Sequence, residues 1–347
     1  MAFLGNCRAT GIGSLPHTDA AEAVDAVFAY AGALPYWPQL PRASRQEGMN
    51  EQAVGGTGDL RLPGLQVQEG RLRLVQDEAF YLGAEKVLAA YDALDPSAGA
   101  MPAEAARGIG PFLAAVRARR PPEAKGQIAG PVTVGMAILA EDGNPILYDD
   151  VLREILVKFL HLRVRWQAAQ IREAGAAPVV FVDEPFLASF GTPFFGWSAA
   201  QVREVLEAVA SGAETAGSHC CSNTDWSIFL ESRLAAVSFD AFGFAKNFLV
   251  YRDAIASFLG RGGTLAWGIV PTDPEALAAL SVASLRERLL DLVGKVAALG
   301  FAREQVLAQS LVTPSCGLGS RDPATAQRAQ ELARDLAAEL RREFLGL

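Results

Sequence analysis

The sequence predicts an α/β chain folded as a (β/α)8 barrel of the TIM type, with a long excursion between its second and third strands. Three observations predict it. Short apolar runs of strand length alternate with helix-length segments, and eight such runs can be counted. Most connections between them are short, which favours a closed ring of parallel strands over an open doubly wound sheet, the structural alternative. The chain has 347 residues, half of them apolar, enough for one barrel and its core. Residues 1–347 therefore read as a single barrel domain, with 41–125 as an insertion.

The strand-like runs are 9–13, 34–39, 127–132, 179–183, 215–219, 236–240, 264–269 and 310–313, of which the fifth is the most polar. Between the second and third lie about eighty residues. There, 60–75 alternates polar and apolar around Glu69-Gly70, predicting a β-hairpin, and 97–106 is Ala-rich with a Gly and a Pro. A connection of that length is expected to be a lid or a cover over substrate. Leu152, Ile155, Leu156, Phe159, Leu160 and Val164 recur at helical spacing in 150–174. Val202, Val205 and Leu206 do so in 199–210, and Leu289, Leu292 and Val293 in 285–299. Gly175, Gly212 and Gly300 follow these helices where a left-handed cap is expected.

Charge and composition exclude several functions. The net charge is −8 and no basic run stands out, so nucleic acid is not an expected partner. Residues 1–8 lack the charged and apolar regions of a secretion signal. No apolar run reaches the roughly 18 residues that span a bilayer. Four Cys in a chain this long do not form a disulfide scaffold; they read as reduced thiols, in the cytoplasm.

In a barrel, chemistry sits where strands end. Here those ends carry Gly11-Ile12-Gly13-Ser14-Leu15-Pro16-His17, Gly130-Pro131-Val132-Thr133, Asp183-Glu184-Pro185, His219-Cys220-Cys221, Asp240 and Cys316. The chain has only three His and four Cys, and one His and three Cys fall in the two fragments His219-Cys220-Cys221 and Cys316. His219, Cys221 and Cys316 have the donor chemistry of a zinc site with three protein ligands and an open position for a substrate sulfur. The competing reading is two small buried cysteines and a satisfied polar His. Cys221 is the better ligand of the adjacent pair, because it and His219 can converge as the strand opens, whereas Cys220 points the other way. Asp240 is either a fourth, oxygen ligand, a partner of His219, or a helix N-cap. Asp183 and Glu184 could hold a substrate ammonium group or form a strand-end turn. His17 reads as a loop residue that could touch a ligand, His161 as structural and Cys7 as inert. Gly11 and Gly13 do not make a dinucleotide fingerprint, because Pro16 and the spacing break it.

These motifs occur in the same order as in the cobalamin-independent methionine synthase family, and the chain resembles the catalytic C-terminal barrel of that family over nearly its whole length, as a short stand-alone core form. The resemblance rests on Gly11-Ile12-Gly13-Ser14-Leu15-Pro16, Gly130-Pro131-Val132-Thr133, Val182-Asp183-Glu184-Pro185, His219-Cys220-Cys221 and Pro314-Ser315-Cys316-Gly317-Leu318. It implies a (β/α)8 barrel that binds Zn2+ and methylates homocysteine on sulfur. It implies His219, Cys221 and Cys316 as ligands, with Asp240 where the family has Glu, at slightly shorter spacing. Backbone N–H groups of Ile12, Gly13 and Ser14 would meet the homocysteine carboxylate, and Asp183 its ammonium group.

The departures carry information too. The family's full-length enzymes have an N-terminal half that helps bind folate, and this chain starts almost at the first strand. Val270 occupies the place of the family's proton-donating His. The second acidic residue for the ammonium group has no clean equivalent, with Gln39 and Glu47 nearby, and folate-binding residues are not recognisable. Methyltetrahydrofolate needs its leaving amine protonated, hence a general acid; a methyl–cobalt donor needs none. The expected donor is therefore a corrinoid, either methylcobalamin or a corrinoid protein as partner, and the expected acceptor a small-molecule thiol. The alternatives are a methyltransferase for another thiol such as coenzyme M, a metal-free lyase resembling uroporphyrinogen decarboxylase, and a non-catalytic zinc- or corrinoid-binding protein. The lyase would gather arginines near the first strand, where Arg8, Arg42 and Arg45 are a thin version.

Overall fold

In a computed structural model, which describes residues 3–56, 58–193 and 195–347, parallel strands curl into a barrel-like sheet surrounded by helices. The strands are β1 (Arg8–Ala9), β4 (Glu123–Ala129), β5 (Ala177–Asp183), β6 (Ala216–Cys220), β7 (Ala236–Phe239), β8 (Thr264–Val270) and β9 (Ser310–Pro314). They follow the order β1-β9-β8-β7-β6-β5-β4, every pair parallel. A separate antiparallel hairpin joins β2 (Leu65–Gln68) to β3 (Arg71–Leu74). Its two-residue turn, Glu69-Gly70, has positive φ at both positions, as the right-handed twist of paired strands requires.

The second strand, expected over 34–39, does not form as a regular strand. The segment lies in the gap between β4 and β1 and touches both edges through isolated bridges, Tyr36 to Lys125 and Ser14 to Gln39. Trp37 N donates to the Lys125 carbonyl at 2.9 Å, and Gln39 N to the Gly13 carbonyl at 3.1 Å. Pro35 and Pro38 lack the N–H groups that a continuous ladder would use, so the ring is closed by a few bonds instead. The third strand is also shifted from 127–132: β4 starts at Glu123, and a helix, Pro131–Ala137, begins where strand was expected. Apolar content misplaced its start because β4 opens on Glu123 and carries Lys125, which is buried.

Side chains alternate along each strand. One face of the strands packs on the helix layer; the other builds a smaller interior cluster that includes Val179, Phe181, Ala236, Ala266 and Leu311, with Phe3 and Leu34. Because Phe181 points inward, Asp183 two residues on shares its face. Beside it on β6, a Cβ on Gly217 would stand 2.6 Å from the Phe181 ring, so only glycine fits there. The outer layer includes helix Asp150–Glu173, capped by Asp149 and buried along Leu152, Ile155, Leu156, Phe159, Leu160 and Val164.

The excursion is fastened to this layer. Arg163, fully buried on helix Asp150–Glu173, donates to the carbonyls of Gly55, Leu60, Gly99 and Ala100. Nearer the strand ends, Gln52 accepts from the Gln39 amide and donates to the Ala105 carbonyl. Glu47 accepts from Leu40 N at 2.5 Å and Arg107 N at 2.9 Å. No helix among the described residues is long and apolar enough to cross a membrane.

Candidate metal centre

His219, Cys221 and Cys316 meet at the C-terminal ends of the strands, their ligand atoms all within 4.8 Å of one another. β6 delivers the first two. His219 is inward and 3% exposed, and the chain leaves the strand after Cys220 so that Cys221 turns to the same side. Cys316 arrives on the loop after β9. That loop is pinned to the one after β1: Leu318 N donates to the Ser14 carbonyl at 2.9 Å and Gly319 N to Ser14 Oγ at 3.2 Å. Added Cβ atoms on Gly317 and Gly319 would stand 2.4 and 2.9 Å from Ser14 side-chain atoms, so the two loops approach through glycine.

The donor atoms fit a thiophilic cation. His219 Nδ1 is bonded to Ser238 Oγ at 2.9 Å, while Nε2 is buried with no hydrogen-bond partner. Such an orphaned ring nitrogen needs an acceptor or a cation. The two thiols do not ionise independently. The neighbouring Cys316 thiol and His219 ring hold Cys221 well below the usual thiol range, and the Cys221 sulfur and burial push Cys316 up. A divalent cation would stabilise both as thiolates.

Asp240 is not brought into that group. β7 stops at Phe239, and Asp240 caps the helix Ala241–Phe248, with Oδ1 accepting from Gly243 N at 2.7 Å. It remains close enough to feel the charges of His219 and Cys221. Glu184 is likewise committed. It accepts from Val132 N, Thr133 N and Thr133 Oγ1 at 2.9, 2.7 and 2.6 Å, closing the start of helix Pro131–Ala137. Burial raises its carboxyl to about 7 against those three donors. Asp183 is different: Oδ1 is buried and unpartnered, and burial raises it to about 6 while Lys125 and His219 pull it down.

Among the described residues the N–H groups of Ile12, Gly13 and Ser14 have no protein acceptor. The conformation of this turn is set from below. Lys125 Nζ donates to the Ile12 carbonyl at 2.7 Å and to Gln127 Oε1 at 3.0 Å. A Cβ on Gly13 would stand 2.5 Å from Gln39 Oε1 and 2.8 Å from Gln127. Lys125 and Ser238 are site-supporting residues that the sequence does not flag. Lys125 sits in the segment read as excursion, and a lone Ser within an apolar strand carries no motif.

The remaining residues lie elsewhere. Glu47 is spent on backbone N–H groups as described, so it is not a free carboxylate for an ammonium group. His161 bonds the Ala208 carbonyl at 3.0 Å and packs edge-on against Tyr91. His17 keeps a buried, unpartnered Nδ1, and burial holds its pKa down. Val270 is fully buried at the end of β8, and its carbonyl accepts from Ser315 N. Arg8 pairs with Glu123 at the opposite, N-terminal end of the strands, Arg42 bonds the Gly319 and Ser320 carbonyls, and Arg45 the Gly70 carbonyl. No arginine cluster for a polycarboxylate forms from them.

Cys7 donates to the Leu307 carbonyl, and burial pushes its thiol up to about 12; Cys220 is buried and also pushed up to about 12. After EDTA treatment, iodoacetamide at pH 8 is expected to alkylate Cys221 first in the folded chain and to leave Cys7 and Cys220 intact. Peptide mass mapping reads the result, and early labelling of Cys7 would contradict the burial argument.

Comparison with known proteins gives the family and the fold. The family described as cobalamin-independent synthase, catalytic domain, matches residues 111–339. A methyltransferase from Methanosarcina mazei superposes with a TM-score of 0.54 at 15% identity, covering 95% of this chain and 93% of that one, which shows a shared fold. A Listeria monocytogenes protein described as a vitamin-B12 independent methionine synthase gives 0.44 at 14% identity over 66% and 69% of the two chains, too low to carry an argument. No curated protein sequence matches the chain. With a family match over more than half its length, this chain is a methyltransferase and belongs to the cobalamin-independent synthase catalytic-domain family.

Proposed function

We propose that the protein transfers a methyl group from a corrinoid to the sulfur of a small thiol, homocysteine, to give methionine, with zinc held by His219, Cys221 and Cys316. The observation that carries this reading is the convergence of one imidazole and two thiols beside a turn with free N–H groups and an unpartnered carboxylate. Zinc bound there would keep the substrate sulfur deprotonated yet nucleophilic at neutral pH.

The chain's own residues bind and aim the acceptor. Ile12, Gly13 and Ser14 offer N–H groups to its carboxylate, and Asp183 Oδ1 accepts from its ammonium group. An amino-acid thiol satisfies both; coenzyme M, which has no ammonium group, leaves Asp183 unpaired. Asp240 stands by as a carboxylate whose Oδ1 is committed to its helix cap.

The donor side follows from what β8 ends in. Val270 cannot donate a proton, so a leaving amine would depart unprotonated there. In transfer from methyl–cobalt, the sulfur supplies the electron pair of the new C–S bond. The cobalt keeps the pair of the broken C–Co bond, and no proton is required. The purified chain with homocysteine and methylcobalamin is expected to yield methionine, detected by mass spectrometry. Methionine formed from methyltetrahydrofolate and not from methylcobalamin would sink the donor assignment.

A further inference from the structure

We propose that Ser238 is a positioning residue of the metal centre: its hydroxyl fixes the His219 ring so that Nε2 faces Cys221 and Cys316. The inference rests on the zinc reading above and goes beyond it to a residue outside the ligand set.

Position comes from the sheet. In the parallel pairing of β6 and β7, His219 is in register with Ser238, so the two side chains stand side by side on the inward face. Both are buried, at 3% and 1% exposure, and Nδ1 and Oγ are 2.9 Å apart. Thr10, Lys125, Phe181, Ala266 and Thr313 surround the same spot, yet the ring's hydrogen bond is to Ser238. A ring held only by packing can turn over about its Cβ–Cγ bond, exchanging nitrogen for carbon. One hydrogen bond at Nδ1 removes that freedom.

The residue type matters as well as the contact. A metal ligand must present a lone pair at Nε2, so the ring proton must sit on Nδ1 and be accepted by a neighbour. A hydroxyl oxygen accepts it. The same hydroxyl can also donate to Nδ1 when Nε2 carries the proton and faces a thiolate. Ser238 therefore holds one ring orientation in both tautomers, and a cation can enter without the imidazole having to rotate.

The test uses the full chain and zinc affinity measured by competition with a chromophoric chelator, alongside the absorption spectrum of the cobalt(II)-substituted protein. Ser238→Ala is expected to weaken zinc about 10- to 100-fold and to alter the cobalt spectrum, while the EDTA-treated protein stays folded and unfolds in a single cooperative transition. Ser238→Thr, which keeps the hydroxyl, is expected to restore affinity and spectrum. Wild-type affinity in Ser238→Ala, or equal weakening in both variants, would overturn the role of the hydroxyl while leaving the zinc reading intact. A wild-type chain that binds no zinc would overturn both.

Discussion

Cys316→Ser is expected to strip zinc from the protein and to lower homocysteine methylation by more than about 100-fold, since removing a partner outside the ligand set already costs 10- to 100-fold and a ligand contributes more. A serine hydroxyl stays protonated at neutral pH and offers a harder donor than a thiolate. Metal analysis of wild type and variant, run beside the methylation assay, reads both effects. Cys7→Ser serves as the control: Cys7 is buried against Leu307 at the far end of β1, so zinc content and rate should match wild type. A Cys316→Ser protein with stoichiometric zinc and an undiminished rate would refute the site.

The second large effect lies away from the chemistry. Arg163→Met is expected to destabilise the fold by about 3–5 kcal/mol, because it leaves the buried carbonyls that the guanidinium serves without their donor. Those carbonyls belong to Gly55, Leu60, Gly99 and Ala100, three separate turns of the excursion gathered on one helix. Urea unfolding should show a lower midpoint. Limited proteolysis should cut first between residues 55 and 100, before the barrel strands. Arg163→Lys should recover part of the loss, since an ammonium keeps the charge but cannot span four acceptors with a planar fork. Zinc content should be unchanged in both, as the contacts lie on the outer helix layer. Wild-type stability in Arg163→Met would show that water or rearranged backbone satisfies the carbonyls.

This arginine bears on what the excursion is. Length alone suggested a lid or cover. In the structure its middle part docks on helix Asp150–Glu173. Its beginning, around Glu47 and Gln52, and the later stretch at Ala105 and Arg107 are tied to Gln39 and Leu40 near the strand ends. The sequence pattern showed the hairpin but not its seat, because a single Arg in an amphipathic helix reads as one more charged position.

Much of the barrel was legible in one dimension. Runs such as 179–182 and 264–270 are apolar on both faces, which is what a parallel strand between core and helices requires. Where the pattern misled, a specific residue was responsible. Pro35 and Pro38 turned an apolar run into a set of isolated bridges, and Glu123 and Lys125 hid the true start of β4 behind polar letters. At the site, His219, Cys221 and Cys316 stood out because such donors are scarce in this chain. Asp240 and Glu184 were harder to place. A carboxylate at a strand end can serve a metal, a substrate or the first N–H groups of a helix, and both of these cap helices.

By itself, the sequence determined the α/β class, the number and spacing of the strand-like runs, and the presence of one imidazole and two thiols where strands end. Those follow from local periodicity and from residue chemistry, which need no partner. Only the tertiary structure decided which of those donors meet. Parallel register sets which side chain stands beside which, and it is fixed by pairing between strands far apart in the chain. That is why His219 lies against Ser238, why Cys316 reaches Cys221 from nearly a hundred residues away, and why Lys125 ends up beneath the turn at Ile12.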